Sequence, residues 1–280
     1  MKQYFSHVLE RMVPRRAEGQ SQEDYRGVLL AKGVWAMLFA IAALAIVRGA
    51  MTALPGSITV SSSVNGQEMP IYCVKTDKKQ VALTFDTAGG NADVGRILGI
   101  LERHGVHATF FMTGGWVEKY PEDVKAILAA GHDMGNESES YKNMSGLTSS
   151  ECLEEIQKAH TRVQELTGYD MTLFRPPYGE YDNKVISNAR ECGYSSVMWD
   201  VDSRDWKDYG VDAILENVLE NENLGSGSII RCHSGAKYMA DALDSLIRGL
   251  EKQGYEIVPV SQLIYTEKYH MNEEGRQVEN

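Results

Sequence analysis

Four short polar segments, each placed just after a predicted strand, contain the side chains of this chain that could do chemistry. In order along the chain they are TFDTAGGN, FRPPYGEYD, WDVDSRDW and SIIRCH. In the first segment, strand alternation puts Thr84 and Asp86 on one face and Leu83 and Phe85 on the other. Carboxylates, an arginine and a histidine at strand ends are residue types that general acid–base chemistry uses.

Taken singly, each segment has a plainer interpretation. The glycine pair in TFDTAGGN could suggest a dinucleotide-binding turn, but GGNADVG lacks the G-x-G core. FRPPYG could be an ordinary rigid turn, and His233 could be a buried core histidine. The carboxylates of Asp200, Asp202 and Asp205 are dense for a solvated loop. Because all four segments end strands of one series, we interpret them as one site.

Strands alternate with helical patterns through the body of the chain. VALTF precedes a helix near 92–104, HATFFM precedes a helix near 121–130, and a helix at 149–166 begins with a Thr148 to Glu151 capping box. Short strands follow near MTLF, SSVMW, GSIIRC and YEIVP. This alternation predicts an α/β fold with a parallel sheet, open or closed into a barrel. In such folds, functional side chains gather at the carboxyl ends of the strands.

The N-terminal region contains an apolar run that is typical of a membrane anchor. The run GVWAMLFAIAALAIV is uncharged, and six basic residues precede it. By the positive-inside rule we predict a cytoplasmic segment at 1–32, a transmembrane signal anchor at 33–54 and an extracytoplasmic body, hence a single-pass protein of the cell membrane. A cleaved signal peptide and a buried core helix are the alternatives.

Two smaller regions flank the predicted body. Residues 55–78 predict a β-hairpin or linker, in which Asn65-Gly66 forms a type I′ turn. Residues 266–280 form a polar C-terminal tail that we expect to be frayed.

Charge and cysteine content exclude some partners. The chain has 39 acidic against 28 basic residues, a net charge of −11. Nucleic acid is therefore not an expected partner, because phosphate binding needs clustered Lys and Arg. Four cysteines without a CxxC motif favour buried free thiols over a disulfide framework.

The ordered motifs TFD, GHDMGN, FRPPYG, DSRDW and a strand-ending histidine resemble the polysaccharide deacetylase family, the NodB-homology type of carbohydrate esterase family 4. The resemblance covers residues 79–265 and is closest to membrane-anchored or secreted deacetylases of spore-forming Gram-positive bacteria. It implies a distorted (β/α) barrel that removes N-acetyl groups from a cell-wall polysaccharide, either peptidoglycan or a chitin-like glycan. It also implies zinc or another divalent metal as the cofactor.

The resemblance assigns catalytic roles to four residues. Asp86 matches the general base, and Arg175 matches the residue that orients this base. His233 matches the general acid, and Asp205 resembles the partner that orients its imidazole.

Substrate-binding roles follow from the same resemblance. Pro177 and Tyr178 match the turn whose backbone N–H helps to hold the oxyanion, and Trp206 resembles a sugar-stacking wall. Arg231 stands where the family has an apolar residue that lines the acetyl-methyl pocket. A guanidinium there predicts a changed contact with the substrate.

The three positions at which the family has metal ligands are all altered. An acid just after the base and two histidines four residues apart are expected, whereas this chain has Thr87, Glu137 and Tyr141. A hydroxyl and a phenol are poor zinc ligands, so only Glu137 could bind a cation well, with Asp86 and Asp93 as further oxygen donors. The metal site expected of the family is therefore not intact.

Two main hypotheses follow. In the first, the chain is a catalytically impaired member that still binds carbohydrate as a surface or regulatory module. In the second, it is an active hydrolase of amide bonds that uses a non-zinc, oxygen-ligated metal or an altered substrate. A purely structural role is the third possibility. Without the metal, the rate would fall on the order of a thousandfold or more, which favours the first hypothesis.

Overall fold

The computed structural model describes residues 60, 61 and 63–280. Within them the strands are β1 Val60–Ser61, β2 Ser63–Val64, β3 Gln67–Glu68, β4 Cys73–Val74, β5 Gln80–Thr87, β6 Thr109–Met112, β7 Asp133–Asn136, β8 Leu173–Phe174, β9 Ser195–Ser196, β10 Val201–Asp202, β11 Ile229–His233, β12 Glu256–Ile257, β13 Tyr269–Met271 and β14 Arg276–Glu279. The α-helices of the same part are α1 Val94–His104, α2 Gly114–Lys119, α3 Pro121–Ala129, α4 Ser149–Thr167, α5 Asn183–Glu191, α6 Val211–Leu219, α7 Met239–Lys252 and α8 Val260–Leu263.

The central sheet confirms the predicted α/β class. Its strand order is β10-β11-β5-β6-β7-β8-β9, β12 pairs with the start of β5, and every pairing is parallel. Helices connect successive strands, as parallel pairing requires. The result is a half-barrel, in which β9 and β10 form the two ends of the strand order.

Alternation along the strands divides the core into two layers. On β5, the side chains of Val81, Leu83 and Phe85 belong to the large apolar cluster that includes the helices. The intervening Ala82 belongs to a second cluster on the inner face of the half-barrel. The sequence pattern of VALTF therefore predicted the two faces correctly.

The chain segment before β5 bridges β9 and the residues that precede β11. The backbone N–H of Ile71 donates to Ser196 O at 2.8 Å, and the N–H of Val74 donates to Gly227 O at 2.9 Å. One segment thus connects the edge strand β9 to the residues that lead into β11.

Helix ends follow the sequence signals. At the start of α4, the Thr148 hydroxyl and the Glu151 carboxylate form the predicted capping box, and α4 ends at Gly168 with φ 75°. A left-handed glycine is a common way for a helix to end.

The hairpin before β5 also forms. β2 and β3 pair antiparallel, and Asn65 and Gly66 have φ values of 53° and 79°, as a type I′ turn requires.

The C-terminal tail is not frayed, contrary to our expectation. β13 and β14 pair antiparallel, β1 joins β13, and β14 pairs with β4. The backbone groups of the tail therefore find partners in distant parts of the chain, which its polar composition did not reveal.

The predicted membrane topology is corrected. In residues 60, 61 and 63–280, no helix is both long and apolar enough to cross a membrane. The longest described helix, α4, carries charged side chains along its length. This finding contradicts the prediction of a single-pass membrane protein. The segments 1–32 and 33–54, on which that prediction depended, lie outside the described residues.

Candidate active site

The inner face of the half-barrel changes from apolar to polar toward the carboxyl ends of its strands. On β5, the inward positions are Ala82, Thr84 and Asp86, and β11 pairs with it in register, so that His233 lies beside Asp86. Ile229, four residues before His233 on β11, belongs to the inner apolar cluster. The pattern places an apolar core at one end of the half-barrel and a polar site at the other.

Asp86 and Arg175 form a buried ion pair at the centre of this site. Arg175 is 0% exposed and Asp86 is 2% exposed. An Nη1–H of Arg175 donates to Asp86 Oδ1 at 2.5 Å, and Nη1 also lies 2.9 Å from the hydroxyl oxygen of Thr84. Arg175 therefore holds Asp86 in place, and its role as the residue that orients a general base stays a prediction.

Backbone carbonyls and aromatic rings fix the guanidinium of Arg175. Its Nε–H donates to Val197 O at 3.2 Å, and its Nη2–H donates to Met198 O at 3.0 Å. The ring of Phe111 lies 4.0 Å from the guanidinium carbon. Gly135 makes room for that ring, because a Cβ at this position would lie 2.4 Å from Phe111. Packing and hydrogen bonds together hold Arg175 in a single place.

Arg231 donates a hydrogen bond to the other carboxylate oxygen of Asp86. Its Nε–H donates to Asp86 Oδ2 at 2.7 Å, and its guanidinium carbon lies 4.0 Å from the ring of Trp199. Burial alone raises the pKa of Asp86, but the charges of Arg175 and Arg231 outweigh it and lower the pKa to about 2. A carboxylate with so low a pKa accepts a proton weakly.

His233 and Asp205 form a second pair on the same rim. Nδ1 of His233 lies 2.6 Å from Asp205 Oδ1, and the backbone N–H of His233 donates to Asp205 Oδ2 at 2.7 Å. Nε2 of His233 lies 3.9 Å from Asp86 Oδ2. The sheet therefore brings the four predicted catalytic residues together.

At the first altered ligand position, the hydroxyl of Thr87 is committed to the backbone. The residue is fully buried, and its hydroxyl donates to Phe85 O at 3.3 Å.

Glu137, which directly follows β7, is fully buried. Neither of its carboxyl oxygens has a hydrogen-bond partner among the described residues. Burial, reinforced by the nearby charge of Asp86, raises the pKa of Glu137 well above its usual value. Both effects favour the protonated form of the Glu137 carboxyl.

Tyr141 turns its ring toward the predicted oxyanion turn. Its backbone is left-handed, with φ 56°, and its ring centroid lies 4.6 Å from that of Tyr178. Burial and the neighbouring carboxyl of Glu137 raise the pKa of the Tyr141 phenol, whereas the backbone N–H of Tyr178 acts in the opposite direction. The phenol of Tyr141 thus lies near the backbone group that the family resemblance assigns to the oxyanion.

The two aromatic side chains predicted to contact sugar are exposed. Pro177 is buried, whereas Tyr178 and Trp206 are each 56% exposed. Tyr178 has a left-handed backbone, with φ 62°, which positions its ring outward. Tyr209, in the loop that carries Trp206, is 75% exposed.

Two other acidic residues that the sequence singled out have structural partners. Asp93 accepts the backbone N–H of Gly235 with both oxygens, at 2.8 and 3.0 Å. Asp200 accepts the backbone N–H of Ile229 at 2.8 Å. Asp200 directly precedes β10, whereas Asp205 follows it. Burial raises the pKa of Asp200 to about 6.

The residues present do not fit the metal that the family implies. The hydroxyl of Thr87 donates to a carbonyl, and burial raises the pKa values of Tyr141 and Glu137, which favours their protonated forms. In the described part of the chain, no group of three or more His, Cys, Asp or Glu side chains could hold a metal ion. A hydroxyl and a phenol are poor ligands of zinc, so no step of a reaction is assigned to a metal here.

Sequence reasoning missed Trp199 and Phe111. Their rings contact the guanidinium groups of Arg231 and Arg175. The available signal was an aromatic residue at the end of a strand, directly before the acidic segment that begins at Asp200. That signal is weak, because aromatic residues in strands usually serve the core.

Comparisons with known proteins agree with this fold and site. The family model "Polysaccharide deacetylase" matches residues 74–197. The peptidoglycan-N-acetylmuramic acid deacetylase PdaC of Bacillus subtilis is 36% identical over 190 residues, which are 68% of this chain and 40% of that protein. The peptidoglycan-N-acetylglucosamine deacetylase of Bacillus cereus is 36% identical, over 69% of this chain and 70% of that protein.

Similar solved structures include a protein described as a CE4 family pseudoenzyme from Bacillus anthracis. It is 32% identical, with a TM-score of 0.67, over 75% of this chain and 73% of that chain. A mutant of the same protein, described as having restored enzymatic activity, is 36% identical over 69% of this chain and 70% of that chain, also with a TM-score of 0.67. This chain belongs to the polysaccharide deacetylase family and contains a NodB-homology domain of carbohydrate esterase family 4.

Proposed function

We propose that this chain binds N-acetylated cell-wall glycan, of the peptidoglycan or chitin-like class, and is impaired as a deacetylase. The single observation that carries the proposal is the state of the three ligand positions. Thr87 donates to the backbone, Tyr141 is a phenol with a raised pKa, and burial raises the pKa of Glu137, which favours its protonated form. Together they lack the imidazole donors of a zinc site and supply at most one carboxylate.

The contacts and the pKa of Asp86 also support impaired catalysis. Both of its oxygens accept from guanidinium groups, and its pKa is about 2. A general base works best when its pKa lies near the working pH. Asp86 therefore serves better as the counter-ion of two arginines than as an acceptor of a proton from water.

Relatives support the assignment to glycan and the loss of activity. The B. subtilis and B. cereus relatives are named as deacetylases of peptidoglycan sugars. A pseudoenzyme occurs among the similar structures. The domain thus exists in forms that differ in activity while the fold is kept.

Glycan contact is proposed through the exposed aromatic side chains. Tyr178 and Trp206 are more than half exposed beside the polar site. Aromatic rings that are exposed in a monomer commonly mark a binding surface, and flat apolar faces suit the C–H faces of sugar rings.

A second candidate is a hydrolase with residual activity. The observation that favours it is the intact His233–Asp205 pair, at 2.6 Å. An imidazole oriented in this way can donate a proton to a leaving amine. This candidate needs water to be activated by an oxygen-ligated cation or by Asp86 alone, which the ligand positions do not support.

Binding to glycan is the experiment that tests the proposal. The full chain is sedimented with purified, insoluble peptidoglycan, and the bound fraction is compared with that of a Trp206→Ala variant. Loss of the stacking surface should weaken binding about three- to tenfold, since an aromatic contact contributes roughly 1 kcal/mol.

Arg248→Met is the matched control for a surface substitution. Arg248 is exposed on α7 and pairs with Asp244, so binding should be unchanged. Failure of the unaltered chain to sediment with either peptidoglycan or chitin would contradict the proposed glycan binding.

A further inference from the structure

Arg231 is the one altered residue of the site that adds a charge. It is 9% exposed and follows two buried apolar residues on β11. Its side chain turns toward β5 and donates from Nε to Asp86 Oδ2 at 2.7 Å. A strand position that would suit an apolar side chain therefore holds a cation beside the predicted general base.

We propose that Arg231 supplies the positive charge that a bound divalent metal supplies in metal-dependent relatives, and that it acts as a positioning residue for Asp86. The changes at Thr87, Glu137, Tyr141 and Arg231 then form one linked set. The inference rests on the proposed impairment and extends it, because restoring the three ligands alone would leave the Arg231 cation in place.

The need for this cation follows from the buried carboxyl groups. Asp86 and Glu137 are 2% and 0% exposed, and no metal-ligand group accompanies them in the described residues. A buried carboxylate requires a cation or several hydrogen bonds. Arg175 covers Oδ1 of Asp86, and Arg231 covers Oδ2. Each oxygen of Asp86 thus has its own guanidinium.

The contacts of Arg231 argue against a ligand-binding role. Its Nε is committed to Asp86, its Nη1 faces Asp202 Oδ2 at 3.7 Å, and its guanidinium stacks at 4.0 Å on Trp199. A side chain that recognised an anionic sugar would present its fork to the open side of the site. Here the carboxylates of Asp86 and Asp202 and the ring of Trp199 already contact the guanidinium.

Packing on Trp199 is the competing explanation for Arg231. If packing is its only role, an unbranched apolar side chain of similar length should replace it well. If charge is its role, a cation should replace it better than an apolar group, and its effect should reverse when a metal is present. These expectations differ in sign and can therefore be separated.

A comparison of two variants of the full chain tests the charge role. The ligand variant carries Thr87→Asp, Glu137→His and Tyr141→His, and it is compared with the same variant that also carries Arg231→Met. Zinc affinity is measured by competition with a chromogenic chelator. Removal of a guanidinium next to a bound dication should raise zinc affinity at least about tenfold, because like charges at short range repel in a partly buried site.

The second arm uses the unaltered ligand positions and needs no metal. Arg231→Met should lower the midpoint of urea unfolding. Arg231→Lys, which keeps the positive charge, should lower this midpoint clearly less. Arg248→Met serves as the surface control and should leave the midpoint unchanged. This arm remains informative if the ligand variant fails to fold.

Two outcomes would overturn the inference. One is zinc affinity within about twofold with and without Arg231 in the ligand variant. The other is an Arg231→Met variant that is as stable as Arg231→Lys or more stable. Acetate release by the unaltered chain would instead contradict the proposed impairment, so the failure of one proposal can be distinguished from the failure of the other.

Discussion

The candidate active site consists of two halves, and they differ in how their side chains are held. The acid–base half consists of Asp86, Arg175, Asp205 and His233, whose charged or polar groups pair at 2.5 to 2.7 Å. The ligand half consists of Thr87, Glu137 and Tyr141, and burial raises the pKa values of Glu137 and Tyr141, which favours their uncharged forms.

The difference shows which part of the site the fold itself needs. Arg175 joins β5 to the carbonyls that follow β9, at Val197 and Met198. Its loss would leave Asp86 as a buried charge with one fewer partner. The ligand half makes no such connection, because Glu137 has no hydrogen-bond partner among the described residues. Its residues can therefore change without disturbing the sheet.

The largest expected effect comes from rebuilding the ligand half. A variant with Thr87→Asp, Glu137→His, Tyr141→His and Arg231→Met should bind stoichiometric zinc. It should also release acetate from N-acetylated peptidoglycan on the order of a thousandfold faster than the unaltered chain, since a metal contributes several kcal/mol. Acetate release and metal content are the measurements. An inactive variant that binds zinc normally would mean that the acid–base half is also defective.

Breaking the acid–base half should instead cost stability. Arg175→Met removes one partner of a fully buried pair, and we expect the free energy of unfolding to fall by about 3–5 kcal/mol. Urea unfolding followed by circular dichroism measures the loss, with Arg248→Met as the exposed control. A loss below about 1 kcal/mol would mean that Arg175 does not support the fold as described.

A smaller, pH-dependent effect is expected at Glu137. Because its pKa is raised in the folded state, the stability associated with its protonated form is present at low pH and is lost as the pH rises from about 4.5 toward the folded pKa. Glu137→Gln, which stays neutral, should therefore be more stable than the unaltered chain at pH 8 and similar at pH 4. Each pKa unit corresponds to about 1.4 kcal/mol.

Thermal unfolding of both proteins between pH 4 and pH 8 measures this difference. Asp86 is present in both proteins, and with a pKa of about 2 in the unaltered chain it stays ionised in the folded state across this pH range. If the stability of Glu137→Gln relative to the unaltered chain does not rise between pH 4 and pH 8, the pKa of Glu137 is not raised and the prediction is contradicted.

Much of the acid–base half could be predicted from the sequence. Alternation on β5 and β11 puts Asp86, Arg231 and His233 on the inner face, and parallel pairing brings their strand ends together. The ligand half could be predicted only as replacements. The left-handed turn that places Tyr141 against Tyr178 depends on loop geometry, which residue types leave open.

Long-range contacts account for the other differences. The partner of Arg231 proved to be Asp86, 145 positions away along the chain, whereas the sequence predicted a changed contact between Arg231 and the substrate. The tail 266–280 looked polar and frayed, yet it pairs with β1 and β4. Local composition does not contain this information, because the partners come from the other end of the described chain.

Acetate release by the unaltered full chain tests the central claim most directly. The substrate is N-acetylated peptidoglycan, and the assay is run with added zinc, magnesium, manganese or calcium, with a chelator, and beside the four-residue variant. The account predicts no metal-dependent release and no stoichiometric zinc in the untreated protein. Metal-dependent release within about tenfold of the four-residue variant would contradict it.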